Sequence, residues 1–449
     1  MKEEIFERLM NTSRKYRILH VLPDMRMGGG QILLIRNLPK MDSSRFEHVV
    51  CYLEPNFEMV PSFQEIGVNP ICLHHRGDKD FRTVYRLVEL MRREKIDLVH
   101  TNNTPLDKTY GQWAALLARI PVVNTLHGMG SQTLEPLKER AFVPNSPALA
   151  RRKIHTAAQS LLDGRFVEKF NHRASCTLDR WRARWSIKHL IAVSDAVRRS
   201  WGWFQHDLHL PHDQVSIVYA GLDVQQVMEE TPPETVAALR KELDLEDAHP
   251  LLVNVARLVP EKGQKYLIPM MKKIVKQYPK AKLIVIGDGP LEDEVQEQIN
   301  QAGLQEHIKL LGTRMESSAL MAMGDIFVLP SLSEGFGLVV QEAMALGKPV
   351  VAFGIPPLRE FVADNVSGFL VGVEDSAAMA EKVLHLLANP DLMQEMGQAG
   401  QRIVQEKFTS ETTVRNIERV YLAVLENDGK ALNRSKNGVA PTFEPLCAS

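Results

Sequence analysis

The segment SEGFGLVVQEAMALGKPVVA, residues 333–352, carries two carboxylates eight positions apart, Glu334 and Glu342, around a turn that holds Gly335 and Gly337. An ionised carboxylate only accepts hydrogen bonds and can grip two vicinal hydroxyls at once. The two glycines permit a tight backbone ahead of a helix expected over residues 338–346. The first amides of such a helix point outward unpaired, with the positive end of the helix dipole behind them, so phosphate sits well there. A ligand that joins phosphate to sugar diols uses both features, and a nucleotide sugar is such a ligand. On this reading Glu342 holds a ribose and Glu334 reaches hydroxyls of a transferred sugar. The structural alternative makes Glu334 a helix cap and Glu342 a solvated helix residue.

Three further stretches carry chemistry. In NVARLVPEKGQKYLI, Arg257 and Lys262 follow an expected strand and precede a helix. Two fixed cations there would neutralise a departing diphosphate, the arginine as a planar fork and the lysine as a point charge. In RILHVLPDMRMGGGQILLI, Gly28, Gly29 and Gly30 allow close backbone approach to a ligand, but Leu33 stands where a dinucleotide fingerprint needs a third glycine. In VVNTLHGMG, His127 follows a strand, where an imidazole would bond the donor sugar or phosphate, or support charge developing at the anomeric carbon; a satisfied structural histidine is the alternative. The triplet Asp78, Lys79, Asp80 in GDKDF has the outline of a metal-binding DxD but no phosphate machinery around it, and reads as solvated surface.

Positioning these groups requires strand ends. Short β-branched runs separated by longer helical stretches recur along the chain, the pattern of βα units and parallel sheets. Strands are expected at 17–22, 48–53, 71–74, 97–100, 122–126, 190–193 and 215–219, then at 251–255, 282–286, 308–310, 326–329 and 350–353. With 449 residues, one core is too small a unit, and two doubly wound α/β domains facing across a cleft are expected. The expected order is an N-terminal extension over 1–16, a first domain over 17–222 with a basic insertion near 131–188, and a linker over 223–249. A second domain over 250–405, a C-terminal helix over 406–426 and a disordered tail over 427–449 complete it.

A net charge of −1 and 44% apolar residues give no bias toward nucleic acid. The charged N-terminus argues against a signal peptide, no apolar run is long enough to cross a bilayer, and the cytosol is the expected address. Cys51, Cys72, Cys176 and Cys447 lack metal or redox spacing, and no metal or other cofactor is expected. Residues 151–200 hold twelve Arg or Lys against four Asp or Glu, with Trp181 and Trp185. That composition suits the headgroup layer of an anionic membrane, and peripheral contact with the inner face of a membrane is one expectation. A solvated helical hairpin is the other.

Through VARLVPEKG, LIVIGDGP and PSLSEGFGLVVQEAMALGKPVVA, residues 251 to about 372, the chain resembles glycosyltransferase family four, retaining nucleotide-sugar transferases of GT-B fold. The likeness extends more loosely through the glycine loop, LHG, IAVSDAVRR and VYAGLD. It implies diphosphate contacts from Arg257 and Lys262, a donor-sugar contact from Glu334, a ribose contact from Glu342, and phosphate on the amides of Gly335, Phe336, Gly337 and Leu338. It also implies His127 beside the reacting sugar, Gly28 to Gly30 lining the cleft, and catalysis without a divalent metal. The acceptor stays open between a glycan, a lipid and a small molecule. Rival readings are a nucleotide-sugar epimerase on a similar frame, a non-catalytic nucleotide-sugar-binding module, and an NAD oxidoreductase disfavoured by Leu33.

Overall fold

The structure is a computed structural model that describes residues 15–77, 80–102, 106–129, 182–202 and 210–430. The basic insertion up to residue 181, Asp78, Lys79, Trp181, Cys176, Cys447, the first fourteen residues and the tail from 431 lie outside the described residues.

Two all-parallel sheets form the frame. The first contains β1 (Tyr16–Leu22), β2 (Phe46–Tyr52), β3 (Ile71–Cys72), β4 (Leu98–Thr101), β5 (Val122–Leu126), β6 (Ile187–Ala192) and β7 (Val215–Ile217), in the order β3-β2-β1-β4-β5-β6-β7. The second contains β8 (Leu251–Val255), β9 (Lys282–Ile286), β10 (Ile308–Leu310), β11 (Ile326–Leu329), β12 (Val350–Phe353) and β13 (Gly368–Val371), in the order β10-β9-β8-β11-β12-β13. Helices cover both faces, so the central strands β4, β5, β11 and β12 are buried at every position. Strand order reverses between β1 and β4 and again between β8 and β11. Ligands of doubly wound sheets bind outside the strand carboxyl ends at such reversals, which is where the glycine loop and the Glu334 segment emerge.

Several elements differ from expectation. Strand β13 was not foreseen, because GFLV is short and opens on a glycine, yet it completes the sheet edge by pairing Gly368 with Val350. The segment 223–249 holds two helices, Val224–Glu229 and Pro233–Glu242, and Leu239, Leu245 and Ala248 are buried. The C-terminal helix, expected over 406–426, spans Ser410–Lys430 and follows the helix Pro390–Lys407 across a break at Phe408.

That break is where the chain crosses back between domains. Leu222 N–H donates to Phe408 O at 2.9 Å and Ser410 N–H to Leu222 O at 3.1 Å, so the two crossings run side by side. Phe408 packs among Tyr219, Phe336 and Phe361, with ring centroids 5.6, 5.7 and 5.9 Å away. The returning helix then covers the first sheet: Val414, Val420, Tyr421 and Val424 share a core with Ile18, Leu22, Phe46, Leu98 and Ile191. Tyr421 is fully buried. Removing such an aromatic side chain costs about 3–5 kcal/mol.

Beneath Tyr421 lies a histidine cluster. His100 Nδ1 bonds the Tyr421 hydroxyl at 2.6 Å, its Nε2 meets Thr125 Oγ1 at 2.7 Å, and His20 Nε2 meets His48 Nδ1 at 3.0 Å. Burial, then His48 and His100, holds His20 well below its ordinary value. Burial lowers His48 to about 4 and, with smaller contributions from His127 and His48, lowers His100 to about 3. The unfolded chain takes up these protons near pH 6.5 and the folded chain does not, so their stabilisation is complete above pH 6.5 and is lost as pH falls toward 4. One histidine shifted this far accounts for at most about 2 kcal/mol at pH 5. The urea midpoint is therefore expected to fall between pH 7 and pH 5, with a shallower fall in His100→Gln; equal slopes in the two proteins would exclude the cluster as the cause.

Candidate active site

The β8 and β11 loops are stitched together at the second switch point. Leu332 N–H donates to Glu261 O at 2.8 Å, and Gly263 lies so close to the Pro330 carbonyl that an added Cβ would sit 2.2 Å from its oxygen. This seam brings Lys262 Nζ to Glu334 Oε1 at 2.6 Å, with the two side chains only 18% and 9% exposed. Arg257 does not join them. Its guanidinium is 69% exposed and 3.9 Å from Glu261.

The helix after this loop spans Leu338–Ala345, one residue shorter than expected, and starts from Gly337 at φ +97°. Val340 and Gln341 N–H both donate to Gly337 O. Among the described residues, the amides of Leu338 and Val339 have no hydrogen-bond acceptor, leaving two donors at the positive end of the helix. Of the residues expected to contact phosphate, Phe336 and Leu338 turn their side chains elsewhere. Phe336 is 3% exposed in the aromatic cluster at the crossing, and Leu338 packs on Gly29. Their amides are what the loop offers.

Glu342 is not a solvated helix residue. It is 7% exposed and accepts from Arg36 Nη1 at 2.7 Å. Arg36 comes from the other domain, on the helix Gly29–Asn37 that follows the glycine loop. No motif marks it, so the sequence offered no signal for the pairing. Gly28 is the N-cap of that helix, and a Cβ on Gly29 or Gly30 would lie 3.3 Å from Leu338 Cδ1 or 3.9 Å from His127 Nε2. The glycine loop therefore meets both domains' site residues.

His127 Nε2 lies 3.0 Å from Asn102 Oδ1, an oxygen that only accepts, which assigns the ring proton to Nε2. The residue keeps partial exposure at the rim, but the protein packed around its ring pushes the imidazole down to about 4. At neutral pH it acts as an uncharged hydrogen-bonding group. Its backbone matters as much: a Cβ on Gly335 would fall 1.8 Å from His127 O. Ser194 Oγ donates to Gly335 O at 2.8 Å while capping its own helix through Val197 N–H. Glu360, also unforeseen, accepts from Asp195 and Ala196 N–H at 2.9 and 2.7 Å across the same interface. The SD of IAVSDAVRR signals a helix cap in sequence, but nothing there signals its carboxylate partner.

Asp80, read as solvated surface, is a correction. Its side chain is 11% exposed and accepts from Arg86 Nη2 at 2.6 Å and from Thr83 Oγ1 at 3.1 Å. Among the described residues no group of three or more His, Cys, Asp or Glu is arranged to hold a metal ion, and no helix is long and apolar enough to cross a membrane. Trp185 is 57% exposed, whereas Arg182 is buried beside Gln112.

Comparison with known proteins agrees with this geometry. The family Glycosyltransferase Family 4 matches residues 27–226 and Glycosyl transferases group 1 matches residues 236–403. The N-acetyl-alpha-D-glucosaminyl L-malate synthase of Bacillus anthracis is 24% identical over 368 residues, 82% of this chain and 85% of that one. The alpha-monoglucosyldiacylglycerol synthase of Acholeplasma laidlawii is 23% identical over 415 residues, 90% and 92% of the two chains. Among solved structures, Anabaena HepE in complex with UDP-glucose superposes with a TM-score of 0.71 at 22% identity, covering 91% of this chain and 99% of that one. Two parallel sheets facing across a cleft define a GT-B glycosyltransferase. The chain belongs to glycosyltransferase family four.

The contact between Gly335 and His127 generates a test. A methyl at Gly335 must push the two loops apart, and misplacement of about 1 Å costs on the order of 100-fold in rate. Gly335→Ala is expected to enlarge the radius of gyration in X-ray scattering and cut turnover about 100-fold; an unchanged radius with full activity would mean that the contact is dispensable.

Proposed function

We propose that this glycosyltransferase moves a sugar from a nucleoside diphosphate sugar to an acceptor hydroxyl with retention of anomeric configuration. The observation that carries the reading is the unpaired Leu338 and Val339 amides beside the Lys262–Glu334 ion pair at a sheet switch point. Breaking the bond between the anomeric carbon and the diphosphate builds negative charge on the leaving group. Lys262, Arg257 and the helix amides stabilise that charge. The donor's diphosphate would compete with Glu334 for Lys262, freeing the carboxylate to hold hydroxyls of the transferred sugar. Glu342 would likewise exchange part of its bonding with Arg36 for a ribose diol.

A departing phosphate oxygen on the same face can take the acceptor proton, so the reading requires no dedicated protein base. Neutral His127, oriented by Asn102, bonds the donor sugar. Contact between the domains excludes water and suppresses donor hydrolysis. The acceptor is not inherited from relatives, since one relative's name carries L-malate and another's a glucosyldiacylglycerol.

Lys262→Ala is expected to lower kcat by about 100-fold or more and to destabilise the fold by leaving Glu334 buried and unpaired. The double variant Lys262→Ala/Glu334→Gln should regain stability without regaining turnover; recovery of turnover would remove Lys262 from leaving-group stabilisation. A bound donor raises the melting temperature by mass action, so a panel of nucleotide sugars identifies it without knowledge of the acceptor. Glu342→Ala should shrink that shift for the best donor, and an undiminished shift would end the ribose assignment.

A further inference from the structure

A second polar hollow opens at the carboxyl edge of β1, β2 and β3. It is a cavity of about 400 Å³ lined by Asp24, Arg26, Glu54, Pro55, Asn56 and His75. That volume lies within the range of small-molecule sites, about 300–1,000 Å³. The three loops that build it are tied to one another: Glu54 N–H donates to Pro23 O at 2.9 Å, Met59 N–H to Met25 O at 2.9 Å and His75 N–H to Leu53 O at 2.8 Å. His74, just before the lining histidine, holds φ at +48°, a left-handed conformation that a non-glycine residue adopts at a cost and that surrounding contacts must enforce. The Arg86 guanidinium supplies such contacts by donating to Leu73 O and His74 O.

His75 is 5% exposed, and its Nε2 has no hydrogen-bond partner. The other ring nitrogen reveals its protonation. Nδ1 lies 3.0 Å from Thr83 Oγ1, and the Thr83 hydroxyl spends its proton on Asp80 Oδ2 at 3.1 Å. Thr83 can only accept from the ring, so Nδ1 carries the hydrogen, and in the neutral imidazole Nε2 then keeps a bare lone pair. Tyr110 fixes the ring's other face, with centroids 4.6 Å apart. A buried acceptor left without a donor costs about 1–3 kcal/mol, which a ligand donor would remove.

The other lining groups narrow the ligand. The Asp24 and Glu54 carboxylates accept, while Arg26, held by Asp24 Oδ2 at 2.9 Å to Nε and 2.5 Å to Nη2, donates. Glu58 stands just behind, accepting from Met27 N–H at 3.3 Å. Three carboxylates against one guanidinium repel an anionic ligand, and Arg26 opposes an ammonium. A hydroxyl both donates and accepts, and suits every group present. The loop that carries Asp24 and Arg26 runs directly into the Gly29–Asn37 helix, whose first residue meets Leu338 of the donor-side loop.

We infer that this hollow is the acceptor subsite and takes an uncharged, hydroxyl-rich sugar or polyol group, with one hydroxyl donating to His75 Nε2 and others bonding Glu54 and Arg26. The assignment of the group as acceptor rests on the transferase reading above; the hollow's selectivity does not. Saturation-transfer NMR on the full chain with glucose, glycerol and L-malate tests it, alongside UDP affinity by calorimetry. Glucose or glycerol is expected to bind and L-malate not to. Glu54→Gln and His75→Phe should each weaken sugar binding about tenfold, with His75→Gln, whose amide oxygen reaches the Nε2 position, partly restoring it and UDP affinity unchanged throughout. Glu54→Gln removes only a charge, so it decides the matter even where His75→Phe does not fold. Preference for L-malate, no binding of either polyol, or sugar binding indifferent to Glu54→Gln and His75→Phe overturns the inference while leaving UDP binding intact. A wild type that binds glucose through Glu54 but ignores UDP overturns the donor reading instead. Tighter binding of monomeric octyl glucoside than of glucose assigns the sugar to a lipid-linked acceptor, and equal affinity to a soluble one.

Discussion

Everything at this site depends on a backbone contact between domains, in which Gly335 lies against the carbonyl of His127. Neither domain holds the candidate site by itself. The C-terminal sheet supplies amides, Lys262, Glu334 and Glu342, whereas the N-terminal sheet supplies the glycine loop, Arg36 and His127. Only an approach too close for any side chain brings the two edges into one space. Ser194 and Glu360 reinforce it from opposite sides of the interface, and the aromatic cluster of Tyr219, Phe336, Phe361 and Phe408 anchors the same loop to the paired crossings. The loop with the unpaired Leu338 and Val339 amides is thus fastened to the place where the chain crosses between the domains.

The second governing feature is charge balance. Each of the two buried carboxylates, Glu334 and Glu342, has one cation within 2.7 Å, Lys262 for Glu334 and Arg36 for Glu342. Removing either partner would strand a charge in a poorly solvated place, which costs several kcal/mol, so these pairs hold the site in a defined geometry. A nucleotide sugar carries both complements, anionic phosphates for the cations and hydroxyls for the carboxylates. On the proposed reading, exchange of partners, rather than creation of new buried charge, would let the ligand enter. Arg36 would make that exchange a property of both domains, because it couples Glu342 to the helix behind the glycine loop.

The chemistry of the N-terminal edge follows another logic. Asp80, Thr83 and His75 form a relay of hydrogen bonds that ends in an unprotonated nitrogen at a polar hollow, and the loops around it are cross-bonded before any ligand arrives. A rigid, acceptor-rich surface selects a ligand by the donors it brings.

Much of the fold was legible in the chain itself. Buried parallel strands must be short apolar runs, and β5, β8, β9, β10, β11 and β12 begin and end where those runs do. The Glu334 loop, its glycines and the following helix were legible for the same local reason, since turn and cap chemistry is written in neighbouring residues. Strand β13 was not, because pairing with Val350 decides it. Local sequence determined which residues sit on loops at strand ends and so which types of group face a ligand. Tertiary structure alone decided that Arg36 meets Glu342, that Glu360 caps a helix of the other domain and that His75 keeps a bare nitrogen. Those facts join residues up to 306 positions apart, and a hydrogen bond is set by distance in space.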